Sequence, residues 1–151
     1  MNFFDEFINI NYKNNIGITG ITDAFFSVYL YNLLKKENKN ILVVVDSLAE
    51  ANKLYSYVNN ITDDVFLFPM DDFLTSEALA VSPDLILNRL DTLNELVSNG
   101  KKIVITNLMG YLRYLPSVET FNNFKLDLSV GDEFNTEQLV FIGNTLHLCI
   151  F

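Results

Sequence analysis

Apolar positions along this chain follow two alternating rhythms: short unbroken runs, and segments in which apolar residues recur every three or four positions. Ile41-Leu42-Val43-Val44-Val45 is a β-branched run of buried-strand length, closed by Asp46. Ser47-Leu48-Ala49-Glu50 then spells a capping box, in which the Ser47 hydroxyl takes one free helix amide and Glu50 reaches back to another. The helix it opens carries Leu48, Ala51, Leu54, Tyr55 and Val58 inward. Val65-Phe66-Leu67-Phe68 is a second buried strand, ended by Pro69, which has no amide hydrogen for a ladder. Ser82-Pro83-Asp84 starts a helix with proline at its first position. Ile86, Leu90, Leu93 and Val97 form its apolar stripe, while Asp84, Asn88, Asp91 and Glu95 face solvent, and Gly100 stops it in a left-handed conformation. Lys102-Ile103-Val104-Ile105-Thr106 is the third strand. Asn107 caps a short helix from Leu108 to about Leu115, before Pro116. Phe3, Phe4, Phe7 and Ile8 suit an amphipathic helix that packs on the sheet or serves as an interface.

Parallel strands joined through helices need crossover connections. The pattern therefore predicts an α/β fold, a three-layer sandwich with a mainly parallel sheet and helices on both faces. Residues 1–120 form this first domain. Residues 121–151 differ and suit the incomplete start of a second, small α+β domain. Phe124 to Val130 alternates apolar with polar, Gly131-Asp132 is a turn, and Asn135-Thr136-Glu137-Gln138 is a possible helix cap. The stretch Leu146-His147-Leu148-Cys149-Ile150-Phe151 is strand-like, and the expectation is a chain interrupted within that second unit.

Composition narrows the function classes. Half of the 151 residues are hydrophobic, which excludes intrinsic disorder, yet no apolar run reaches membrane-spanning length. Ten basic against nineteen acidic residues give a net charge of −9, so direct DNA binding is not expected. Only Arg89 and Arg113 are available for bidentate phosphate clamps. A lone cysteine, Cys149, excludes an internal disulfide, and with Leu148 and Ile150 beside it suits an inert thiol. His147 has no partner at ligand spacing, so no metal site is expected; Asp71, Asp72 and Glu77 suit a solvated loop better than a cation site. Asp63-Asp64 is a turn. Arg89, placed on the polar side of its helix, has Asp84, Asp91 or an interdomain contact as candidate partners. The acidic N-terminus lacks the basic region of a signal peptide, and a cytoplasmic protein is the default.

One loop carries candidate chemistry. Gly17-Ile18-Thr19-Gly20-Ile21-Thr22-Asp23-Ala24 precedes a strongly apolar helix, Phe25 to Leu34. A P-loop at such a place needs G-x-x-x-x-G-K-[S/T]: glycines so that amides wrap the phosphates, a lysine to neutralise them and a hydroxyl for Mg²⁺. Gly17 fits the first glycine. Thr22 stands for the second, Asp23 for the lysine and Ala24 for the hydroxyl. An aspartate beside a phosphate costs about 1–4 kcal/mol at surface-like dielectric. Gly17, Thr19, Gly20, Thr22, Asp23 and Ala24 thus form a degenerate P-loop with no nucleotide expected. The loop is better suited to a tight turn, with Thr22 or Asp23 capping the helix.

In this order of strand and helix, the chain resembles the N-terminal end of the bacterial transcription-repair coupling factors, whose first module is similar to the excision-repair protein UvrB. The degenerate loop is one carrier of the resemblance. Another is Leu67-Phe68-Pro69-Met70-Asp71-Asp72-Phe73-Leu74 running on to Ser82-Pro83-Asp84 and Arg89-Leu90-Asp91-Thr92-Leu93; a third is Ile103 to Leu112. The resemblance covers about residues 10–140 and departs beyond Leu139, where Gly143-Asn144-Thr145 fits poorly. It implies a P-loop NTPase/helicase-like domain without catalysis of its own, acting as a scaffold in transcription-coupled nucleotide excision repair. It also implies that ATP and Mg²⁺ belong to motor domains of the full-length family, which displaces stalled RNA polymerase and recruits UvrA. This module would contact other domains of its own protein. The alternatives are an ATPase or helicase fragment that retains weak nucleotide binding, and a stand-alone α/β binding module.

Overall fold

The computed structural model describes residues 17–72, 82–123 and 125. Several expectations fall outside these residues: the Phe3, Phe4, Phe7 and Ile8 helix, Glu77, the Phe124–Val130 alternation, the turn and cap after it, His147 and Cys149. The chain divides into two compact units, Met1–Tyr111 and Leu112–Phe151.

In the first unit the elements run α1 (Asp23–Lys36), β1 (Ile41–Val45), α2 (Leu48–Asn59), β2 (Val65–Phe68), α3 (Pro83–Val97), β3 (Ile103–Asn107) and α4 (Leu108–Tyr111). The three strands form one parallel sheet in the order β1-β3-β2. The chain thus steps from β1 over the place of β3 to β2, then returns. With the right-handed crossovers that twisted strands impose, this reversal puts α2 and α3 on opposite faces. The α/β sandwich and its parallel sheet follow the hydrophobic pattern.

Register decides the faces, because paired residues in a parallel ladder point the same way. Val43, Val65, Leu67, Ile103 and Ile105 share one face and form the buried core with Leu30 and Leu34 of α1 and Ala51, Leu54 and Val58 of α2. On the opposite face Phe68, Val104 and Thr106 are buried, while Leu42 and Val44 of β1, at the edge of the sheet among the described residues, remain 56% and 41% exposed. There α3 packs on β2, and the Thr92 hydroxyl donates to the Leu67 carbonyl at 2.7 Å.

Local chemistry sets the ends of the elements, with some departures from expectation. Thr22 is the N-cap of α1, its hydroxyl accepting from the Phe25 amide at 3.4 Å, so the helix opens at Asp23 rather than Phe25. Ser47 caps α2 through the Glu50 amide at 3.2 Å. A second free amide of this helix end, that of Leu48, is met from afar, both Asp72 carboxylate oxygens accepting from it at 3.0 Å. Gly100 is not the stop: α3 ends at Val97 with Ser98 as its C-cap in extended conformation, its amide donating to the Glu95 carbonyl, and Gly100, at φ +125°, lies beyond it in the connection to β3. β3 runs one residue later than the apolar run suggested. The expected helix to Leu115 ends at Tyr111, and Leu112, Tyr114 and Leu115 are exposed, so no buried apolar face prolongs it.

The inward face of α3 is the main correction. Its buried positions are Arg89, Thr92 and Leu93, whereas Ile86, Leu90 and Val97 are only half-buried. Arg89 is therefore not on the polar side; it lies at 0% exposure.

The second unit contains α5 (Val118–Asn123), in which Phe121 is buried. Ser117 starts this helix, its hydroxyl accepting from the Thr120 amide at 3.1 Å. Lys125 lies over the Phe121 ring, 5.2 Å from its centroid.

Candidate functional site

The loop that resembles a phosphate cradle lies open on the first unit. Gly17, Thr19 and Gly20 are exposed, and Gly20 takes φ +78°, the left-handed value a tight turn needs. Gly17 has no positive φ. The Thr22 hydroxyl is engaged with the helix it caps, and the Ala24 carbonyl accepts from the Ser27 hydroxyl at 2.7 Å. These residues serve helix α1.

Asp23, at the lysine position of the template, points to α2. Its carboxylate pairs with the Lys53 ammonium at 2.6 Å. Both groups are more than half exposed, so the pair is a weak stabiliser screened by salt. Asp23 bonds to Lys53 and holds its ammonium above the ordinary 10.5, with lesser help from Tyr57 and Glu50. The pair lines a cleft of about 390 Å³ between α1 and α2 at the carboxyl end of β1. Phe26, Val45 and Leu54 supply apolar walls, and Glu50 adds a second carboxylate.

This lining reverses the charge logic of a nucleotide site. Two carboxylates and one ammonium leave it with one net negative charge, and the ammonium is already taken. A polyphosphate would meet repulsion where a working P-loop offers a cation and a ring of amides. No signal in the loop itself marked Lys53, which enters from the next helix through space.

A second polar cluster lies at the carboxyl ends of β2 and β3. Asn107 is fully buried, and its side chain makes four hydrogen bonds. Its Oδ1 accepts from the Met70 amide at 3.1 Å and the Gly110 amide at 3.3 Å; its Nδ2 donates to the Met70 carbonyl and to Asp72 Oδ1, both at 2.7 Å. Asn107 does cap the short helix, and it also clamps the turn after β2. From α3, Arg89 Nη1 donates to the Pro69 carbonyl and to Met70 Sδ, both at 3.0 Å. Thus the Phe68-Pro69-Met70-Asp71-Asp72 stretch is fastened from three elements. Asp71 and Asp72 are both exposed, as expected of a solvated loop, and Asp72 in addition accepts from the Leu48 amide and the Asn107 side chain. The Asp63-Asp64 stretch is a turn, with the Asp64 amide donating to the Thr62 hydroxyl at 3.2 Å.

Among the described residues, no group of three or more His, Cys, Asp or Glu side chains could hold a metal ion. Nor is any described helix long and apolar enough to cross a membrane.

No protein-family profile matches the sequence, and no solved structure matches it. Curated proteins do. The chain is 27% identical over 138 residues to the transcription-repair-coupling factor of Staphylococcus epidermidis, covering 90% of the chain and 12% of that protein. The Bacillus subtilis protein of the same name is 28% identical over 124 residues, covering 81% of the chain and 10% of the relative. That of Staphylococcus aureus is 26% identical over 141 residues, 92% of the chain and 12% of the relative. The chain thus spans about an eighth of the length of these relatives.

Proposed function

We propose that this chain, similar over most of its length to the transcription-repair-coupling factors, is a non-catalytic scaffold and interaction module of transcription-coupled nucleotide excision repair. The similarity over 138 residues carries the assignment to that process. The geometry of the loop supports the non-catalytic part, because the acid at the lysine position is paired with Lys53 and the lining carries net negative charge. In this reading the module works through protein contacts. The ATP- and Mg²⁺-dependent displacement of RNA polymerase and the recruitment of UvrA belong to the complete protein, and the module contacts the domains of that protein. A cytoplasmic location goes with such work.

Calorimetric titration with ATP and Mg²⁺, beside an intact P-loop domain as positive control, tests the reading. A folded chain is expected to give no saturable heat. Saturable binding at micromolar ATP would overturn the scaffold assignment and place the chain among nucleotide-binding proteins. Titration with purified UvrA and with RNA polymerase then separates a contact made by this module from one made elsewhere in the complete protein.

A further inference from the structure

We propose that Asn99 is a self-modification site, whose side-chain amide is attacked by the Gly100 backbone nitrogen and lost as ammonia. Of the nineteen asparagines in the chain, Asn99 alone is followed by glycine. That neighbour matters because a Cβ on the following residue hinders its nitrogen from closing on the asparagine side chain, and glycine has none.

The structure leaves this pair free to react. Asn99 and Gly100 are both exposed in the connection between α3, which ends at Val97, and β3, which begins at Ile103. Around Gly100 the space is open: a Cβ built there would meet only Lys102 Nζ, at 3.7 Å. The side-chain amide of Asn99 makes no hydrogen bond among the described residues. Other asparagines are held. Asn32 and Asn52 donate to helix carbonyls at 2.8 and 3.0 Å, and Asn107 is buried with its amide doubly bonded.

Lys102 adds a push. Its ammonium, 2.6 Å from the Ser98 hydroxyl, donates to the Asn99 carbonyl at 3.5 Å. That carbonyl belongs to the same peptide group as the Gly100 nitrogen. Drawing electron density to its oxygen makes the Gly100 N–H easier to ionise.

The step balances without any outside oxidant or reductant. A bond forms between the Gly100 nitrogen and Asn99 Cγ; the Cγ–amide bond breaks, and ammonia leaves with the Gly100 proton. Water then opens the five-membered imide at either carbonyl, giving aspartate or isoaspartate at position 99. Each product adds a negative charge beside Lys102. Isoaspartate also lengthens the backbone just before Lys102, whose amide donates to Asn40 Oδ1 at 3.0 Å and whose carbonyl accepts from the Ile41 amide at 2.9 Å.

The test incubates the full folded chain in mildly alkaline heavy-oxygen water and maps its peptides by mass spectrometry. Conversion at Asn99 is expected to run on the order of tenfold faster than at Asn60 and Asn123, exposed residues followed by Ile61 and by Phe124. Isoaspartate is the expected major product, with solvent oxygen incorporated at position 99. Conversion no faster than at those two sites would overturn the proposal. So would a folded-state rate more than about tenfold below that of the same chain in urea, since the turn would then protect Asn99.

Discussion

The side-chain amide of Asn107 meets the carboxylate of Asp72 at 2.7 Å, across 35 positions of sequence. The same carboxylate accepts the Leu48 amide at the start of α2. One aspartate therefore joins the carboxyl end of β3 to the amino end of the helix that follows β1. It meets a helix terminus of favourable polarity on one side and a fixed amide on the other.

Replacing Asn107 with alanine is expected to lower stability by about 2–4 kcal/mol, because the Met70 amide and carbonyl would be left buried without their partner. Asp72→Ala should cost about 1 kcal/mol, as loss of a helix cap usually does. Urea unfolding of both single variants and the double variant measures the coupling. A loss under about 0.5 kcal/mol for Asn107→Ala would show that water replaces these bonds freely.

Gly110→Ala is expected to destabilise, although alanine favours helix in general. Its Cβ would overlap Thr106 Oγ1 and lie 3.0 Å from the Phe68 carbonyl, and Thr106 is itself bonded to that carbonyl. Relief requires α4 to move off the sheet, at about 1–3 kcal/mol. A thermal midpoint equal to the parent's would mean that α4 yields without resistance.

How far the sequence disclosed this arrangement depends on the type of signal. Ile41–Val45 and Val65–Phe68 were legible because an unbroken β-branched or aromatic run has few other uses, and Ser47 because a cap is set by near neighbours; Gly100 was not, since α3 already ends on an extended Ser98. Arg89 was not. Helical spacing placed its charge outward, but the Pro69 carbonyl and Met70 sulfur that accept it lie 20 and 19 positions away. Lys53 was missed for the same reason, since its pairing with Asp23 exists only after α1 and α2 pack together. The degenerate loop was legible as a loss of template residues, and the cleft beside it was not.

Arg89→Met is expected to cost about 2–4 kcal/mol, since methionine fills the volume but leaves the Pro69 carbonyl without its donor. Arg89→Lys should recover only part of this, because a lysine cannot match the planar reach of the guanidinium. Equilibrium unfolding of both variants decides it, and full stability in Arg89→Met would show that packing alone is required.

The Asp23–Lys53 pair gives a prediction with a definite sign. Lys53 is raised above 10.5 in the folded chain, so its pairing stabilises below that value and is lost as pH climbs through the folded pKa. The parent should therefore unfold at slightly higher temperature than Asp23→Asn near neutrality, with the gap closing above about pH 10.5. Thermal melts across that range in low salt check this; a gap that widens with alkalinity would contradict it.

The strand order carries a consequence for the birth of the molecule. β3 lies between its two neighbours, yet it is the last of the three to be synthesised, and the contact from Lys102 back to Asn40 closes a separation of 62 positions. Until β3 leaves the ribosome, β1 and β2 have no common neighbour to pair with, and their apolar faces wait uncovered. Assembly of the sheet is then a late, concerted event that pays loop-closure entropy at once. A nascent chain halted before Ile103 would carry two ready strands and no sheet, the state in which a chaperone has most to bind.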